Sequence, residues 1–167
     1  MYRITQCLSV GPSALPERVA QLRKLGVTHI LNVSDGPSAV SSADGFAEVA
    51  DVPMNDHKRL PAITMVLALD TLHRMVSEPG EHVYVHCMAG VLRSPTTLWL
   101  YLIALGIAPE VAREWIESRS PDAVAGHFRM VDHQHVALAQ QHGLTHFFPH
   151  PRPEIVVPVA HTNESNA

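Results

Sequence analysis

Cys87 and Arg93 stand six positions apart in "HVYVHCMAGVLRSPTT", residues 82–97, and their types and spacing could do phosphate chemistry. The alternating, β-branched run "HVYVHC" reads as a strand that ends in the cysteine. Ser94-Pro95 after the arginine reads as a helix start, with proline tolerated in the first turn. A strand running through a short loop into a helix makes an anion site. Its backbone N–H groups converge on one point, and the helix N-terminus adds partial positive charge. A cysteine at the strand end sits under that field, which stabilises negative charge on sulfur and makes it a nucleophile. Gly90 gives the loop torsions and close approaches that a side chain obstructs. Arg93 can fork two N–H donors onto two phosphate oxygens. Cys87 and Arg93 are therefore expected to face one tetrahedral anion from different sides, with sulfur in line to attack phosphorus. A cysteine at a strand end is more often a buried small apolar group. His86 before it, Gly90 within the loop and Ser94 directly after Arg93 are what packing alone does not explain.

The remaining sequence must position this loop. Tyr2 to Val10 reads as a strand ending at Gly11-Pro12. Ser13 is expected to cap a helix from about Ala14 to Leu25, with Leu15, Val19 and Leu22 on one face and Gly26 as the stop. "VTHILNVS" reads as a buried strand, "DGPSAVSSADG" as a loop, and Glu48 to Met54 as another short strand. The pattern predicts a helix over 62–77, with Val66, Leu69, Met75 and Val76 on its apolar side and Pro79-Gly80 ending it. Leu98, Tyr101, Leu102 and Leu105 recur at helical spacing up to Gly106. Further helices are expected over Pro109–Ser118 and around Phe128 to Gln141. Strands alternating with helices imply an α/β fold: one domain, residues 1–148, with a central, mostly parallel sheet flanked by helices. Four prolines among residues 149–158 and a polar end predict a flexible C-terminal tail over 149–167.

Composition narrows the function classes. The chain has 167 residues, enough for one domain with a core, and its 46% hydrophobic and 17% charged residues are those of an ordinary soluble globular protein. A net charge of −4 without a basic run argues against bulk nucleic-acid binding, which needs clustered Lys and Arg. No apolar run is long enough to span a bilayer, and "MYRITQCLSVGPS" does not read as a secretion signal. Two cysteines, Cys7 and Cys87, are too few for a disulfide framework, so a reducing cytoplasm is the expected location, with no membrane association.

"HCMAGVLRS" fits the pattern His-Cys, any five residues, Arg-Ser/Thr of the cysteine-dependent protein tyrosine phosphatase superfamily. "VHCMAGVLRSPT" resembles its dual-specificity branch, of the small atypical type. "CLSVGPSALPERVAQLRKLGVTHILNVSD" is similar to that branch's opening strand, helix and second strand, and "DVPMNDHKRLPAITM" resembles its general-acid segment. The likeness covers roughly residues 2–142.

The resemblance implies roles residue by residue. Cys87 would form a phosphocysteine. Arg93 and the backbone amides of Met88, Ala89, Gly90, Val91 and Leu92 would hold the phosphoryl oxygens as charge spreads over them. Ser94 would hydrogen-bond the sulfur and ease its departure in the second step. His86 would order the loop without transferring a proton. The leaving oxygen needs an acid, and Asp56 is preferred to Asp51 and Asp70; in the second step it would activate water. No Trp-Pro-Asp acid loop of the tyrosine-specific branch occurs, and no long section precedes the first strand. A shallow pocket admitting phosphoserine and phosphothreonine beside phosphotyrosine is therefore expected. The implied substrate is a phosphorylated protein or peptide, with no cofactor and no metal.

His127, His133, His135, His142, His146 and His150 crowd the C-terminal region, but their spacing matches no strong metal motif, and they read as surface or partly buried groups. Lys58 and Arg59, beside Asp56, read either as a solvated loop or as attraction for an anionic substrate. Cys7 could resolve an oxidised Cys87 only if the first strand approaches the loop, which is not expected. The alternative functions are the same chemistry on a lipid, RNA 5′-phosphate or phosphoglucan, and phosphate binding without turnover. The neutral Met88, Ala89, Val91 and Leu92 disfavour a highly charged inositol head group.

Overall fold

Short apolar runs build a five-stranded sheet of order β1-β2-β5-β3-β4 in the computed structural model, which describes residues 1–150 and 152–160. Its strands are β1 (Tyr2–Arg3), β2 (Leu8–Gly11), β3 (His29–Asn32), β4 (Glu48–Asp51) and β5 (Val83–His86). β1 pairs antiparallel with β2, and every other pairing is parallel. The mostly parallel sheet expected from the sequence is therefore present, with one difference. The single first strand is two, because residues 4–7 turn and the Ile4 and Thr5 N–H groups both donate to the Leu8 carbonyl.

Helices cover both faces, as parallel strands require. Val83 and Val85 of β5 face one core, and Tyr84 between them faces the other. The smaller core is closed by α1 (Val19–Lys24), which follows a 3₁₀ turn at Pro16–Arg18. Ser13 does not cap this helix: Arg18 occupies its N-cap position, and Leu15 that of the preceding turn, which Pro16 starts. The larger core holds α2 (Ala62–Met75), α3 (Arg93–Ala104), α4 (Pro109–Glu117) and α5 (His133–His146). On α2 the buried face is Met65, Ala68, Leu69, Leu72 and Met75, and the expected Val66 is only half-buried. All twelve residues of α3 are buried, between the sheet and α2, α4 and α5. Each fully buried Leu there contributes about 1.5–3 kcal/mol, so the helix that begins at Arg93 is held on every side.

α5 starts later than the sequence pattern suggests. Residues 127–131 form hydrogen-bonded turns instead, and Leu60 N–H donates to the Met130 carbonyl. Asp132 then caps the helix by accepting from the Gln134 and His135 N–H groups. The helix runs on through Gly143 because a Cβ there would lie 1.7 Å from the Ala104 carbonyl oxygen, so only glycine lets α5 sit this close to α3. The structure also differs from the expected flexible tail over 152–160. Ile155 is fully buried, Val159 N–H donates to the Ile4 carbonyl, and Arg152 reaches the carbonyl of Val76. Residues 161–167 of that expected tail lie outside the described residues.

Candidate active site

The sheet's parallel strands end together at one pole, and the loop from His86 to Leu92 occupies it. Open α/β sheets place ligands beyond these carboxyl ends. Gly90 adopts φ +75°, and a Cβ on it would lie 2.5 Å from the Gly11 carbonyl carbon. Glycine is thus required twice, for its left-handed torsion and for the close approach to the β2 end. That approach turns the Gly90 N–H onto the Cys87 sulfur at 3.3 Å. Ser94 Oγ stands at 3.3 Å from the same sulfur and at 3.5 Å from the Gly11 carbonyl. The sulfur therefore meets one backbone donor and one hydroxyl. α3 begins without a capping side chain, so its first N–H groups remain directed at the loop.

Arg93 is buried, at 5% exposure, yet three groups meet its guanidinium. Nη1 donates to Asp35 Oδ1 at 2.9 Å and to the Met54 carbonyl at 3.3 Å, and Nη2 lies 3.6 Å from Asp56 Oδ2. Nε is buried and has no hydrogen-bond partner among the described residues. A buried unpaired donor is costly, and a phosphoryl oxygen would satisfy it.

His86 is buried, and burial pushes its pKa down to about 4. It is neutral near pH 7. Its Nδ1 lies 3.3 Å from the Cys87 carbonyl oxygen, a loop-ordering contact, although a bond this long contributes little.

The structure brings Cys87, Arg93, Ser94, His86 and Asp56 together, while the other two aspartates make no contact with Arg93 and are engaged by other groups. Asp51 lies at the end of β4. Its partial burial opposes ionisation, but hydrogen bonds from Ser38 and Asn32 hold its carboxyl below the usual range. Asp70 lies on α2 and pairs with His142 at 2.6 Å. Asp56 also lies 3.5 Å from His57 Nε2. Arg59 pairs with Asp132 at 3.3 Å, so it ties the segment that follows Asp56 to the start of α5. Among the C-terminal histidines, His135 meets Asp132 and the Leu60 carbonyl. Cys7 directly precedes β2, where its carbonyl accepts from the Val83 N–H, whereas Cys87 follows the carboxyl end of the adjacent β5. A strand of four residues separates the two levels, about 13 Å, so Cys7 does not approach the loop.

Two further residues near the loop have roles that the sequence pattern did not assign to them. Ser13 Oγ reaches the Cys87 and Met88 carbonyls at 3.3 and 3.4 Å, and its N–H donates to the Met88 carbonyl at 3.1 Å. It braces the loop rather than capping a helix. Asp35 meets Arg93 more closely than Asp56 does. Its position directly beyond a strand's carboxyl end was the available clue.

The fold and this loop are those of the tyrosine and dual-specificity phosphatase superfamily. Residues 6–142 match the PTP-SAK family, described as Swiss Army Knife protein, DSP-PTPase phosphatase domain, and the chain belongs to that family. It is 33% identical over 104 residues to human dual specificity protein phosphatase 26, covering 58% of this chain and 47% of that protein. It is 27% identical over 146 residues to the phosphatidylglycerophosphate phosphatase PTPMT1 of Arabidopsis thaliana, covering 81% of this chain and 43% of that protein. The chain thus spans less than half the length of these relatives. The crystal structure of human DUSP28 superimposes with a TM-score of 0.63 at 22% identity, over 87% of this chain and 96% of that one. That likeness extends to the fold.

Proposed function

We propose that the protein hydrolyses phosphomonoesters on proteins, at phosphotyrosine and at phosphoserine or phosphothreonine, through a phosphocysteine on Cys87. The observation that carries this reading is the Cys87 sulfur set between the Gly90 N–H and the Ser94 hydroxyl, with the buried fork of Arg93 at the other end of the loop. In the first step the sulfur attacks phosphorus, the P–O bond to the leaving group breaks, and Asp56 gives that oxygen a proton. The phosphoryl charge is met by Arg93 and by the amides of residues 88–92. Phosphate entering the fork displaces the carboxylates, which frees Asp56 for the leaving oxygen. In the second step Asp56 takes a proton from water, the water oxygen bonds phosphorus, and the S–P bond breaks to return Cys87 and release phosphate. Nucleophile, acid and charge stabilisation all come from the chain, so no step calls for a metal or cofactor. Cytoplasmic action on phosphoproteins accords with this reading. Among the described residues no helix is long and apolar enough to cross a membrane.

The neutral side chains of the loop and its apolar rim, including Met88 and Leu15, favour a peptide over a polyanionic head group. The likeness to a phosphatidylglycerophosphate phosphatase favours a second reading, the same chemistry on a lipid phosphomonoester. Phosphate release from a panel of phosphopeptides, phosphatidylglycerophosphate, inositol phosphates and RNA 5′-triphosphate decides between them. Phosphopeptides are expected to give the highest kcat/KM, with Cys87→Ser inactive on all. Retained turnover in Cys87→Ser would overturn the mechanism, and a clear preference for the lipid would overturn the substrate class.

A further inference from the structure

Asp35 follows β3 at the carboxyl pole of the sheet, and its side chain is 65% exposed even though it bonds Arg93. It also lines an open groove of about 460 Å³ beside the phosphate loop, with Leu15, Pro37, Ala39 and Met88 among the apolar walls. The other lining groups are uncharged near pH 7, since the remaining titratable one is the neutral His86. The Arg93 guanidinium bonded to Asp35 holds its carboxyl below the usual carboxylate range. Asp35 is therefore the one negative charge on this groove among the described residues.

A phosphate dianion offers Arg93 two oxygens and more charge than one exposed carboxylate, so it takes over the fork. Asp35, being exposed, then turns to the groove and remains ionised beside the phosphate. Any group attached close to the phosphoryl oxygen and lying along this groove meets apolar walls and that single charge. Resting on the phosphatase reading, we infer that Asp35 is a specificity-determining residue. It favours phosphoesters that carry a cationic group next to the phosphate, as in a phosphopeptide flanked by Arg or Lys, and disfavours those that carry further anions.

The test uses two matched pairs. One pair is phosphotyrosine peptides with Arg or Glu flanks, and the other is aryl phosphates with an ammonium or a carboxylate substituent. Exposed charge pairs are weak, so the cationic member of each pair should lead by up to about fivefold in kcat/KM at low salt. The preference should shrink as salt is added. Asp35→Asn should bring the ratio close to one. The same ratios are read as affinities on Cys87→Ser, with and without Asp35→Asn, so the comparison does not depend on turnover. A ratio near one in the wild type, or a ratio unchanged by Asp35→Asn, overturns the inference. Peptides that fail while the aryl phosphates keep an Asp35-dependent preference overturn the protein-substrate reading and leave the inference standing.

Discussion

The Ser94 hydroxyl lies 3.3 Å from the Cys87 sulfur, and both side chains are buried. In the proposed second step the sulfur leaves phosphorus as an anion, and a hydroxyl at this distance can donate to it. Hydrogen bonds to charged groups contribute about 1.5–3 kcal/mol, so removing one should slow that step roughly 10–100-fold. Ser94→Ala is expected to release one equivalent of phenol in a fast burst and then turn over slowly. Rapid-quench kinetics with an activated aryl phosphate reads both phases. A slow variant without a burst would place Ser94 in the first step instead.

Gly90 is the position where backbone shape carries the site. Alanine there must hold φ near +75° with its Cβ 2.5 Å from one backbone atom and 2.8 Å from the next. The left-handed torsion alone costs about 1–2 kcal/mol, and the contact is with backbone that cannot swing aside. Gly90→Ala is expected to pull the loop from the β2 end and remove the N–H from the sulfur. Inhibition by vanadate should weaken at least tenfold while urea unfolding remains cooperative. Unchanged vanadate inhibition would show that the loop does not need this approach.

The loop was legible because its chemistry is local. Cys87, Gly90, Arg93 and Ser94 fall within eight residues, and a strand-loop-helix pattern fixes how they converge. The parallel centre of the sheet was legible for the same reason, since β2, β3 and β5 each carry a buried, largely apolar run. Asp35 was not, because its meeting with Arg93 depends on β3 lying beside β5, a pairing that residue patterns do not state. The packed stretch over 152–160 was hidden by its prolines. They bar regular strand and helix, but they do not prevent Ile155 from entering the core or Pro158 from bridging to Thr5. The start of α5 was misplaced because the apolar residues of 128–131 mimic a helix turn, while the true signal is the cap at Asp132.

Stability should depend on acid through two buried histidines. Burial pushes both His82 and His86 down to about 4 from an ordinary value of 6.5. Between those values the unfolded chain binds protons that the folded chain refuses, so stability rises with pH across that window. The contribution is complete above pH 6.5 and is lost as pH falls toward 4, by up to about 3 kcal/mol for each group. The urea midpoint is expected to drop clearly from pH 7 to pH 5. His82 lies away from the loop, with Nε2 2.7 Å from Ser9 Oγ, so His82→Gln should flatten the dependence without touching the site. Equal midpoints at pH 7 and pH 5 would show that neither histidine resists protonation.

Two carboxylates touch Arg93, and leaving groups can tell which of them is the acid. If Asp56 protonates the departing oxygen, its loss matters most where that oxygen is a poor leaving group. Asp56→Asn should slow phenyl or alkyl phosphate hydrolysis sharply and p-nitrophenyl phosphate hydrolysis much less, since nitrophenolate departs with little help. A positioned acid gives about 10²–10⁴-fold, or about 2.7–5.5 kcal/mol, and because nitrophenolate keeps part of that dependence the difference between the two substrates should be roughly 1–3 kcal/mol. Asp35→Asn is the informative control, because it loses the closer contact to Arg93 but is assigned no proton transfer. It should change all uncharged leaving groups by the same factor. Asp51→Asn and Asp70→Asn should show no leaving-group pattern, because Asp51 is engaged by Ser38 and Asn32, and Asp70 by His142. A uniform loss in Asp56→Asn together with a leaving-group-dependent loss in Asp35→Asn would move the acid to Asp35 and leave Asp56 as a partner that only orients the arginine.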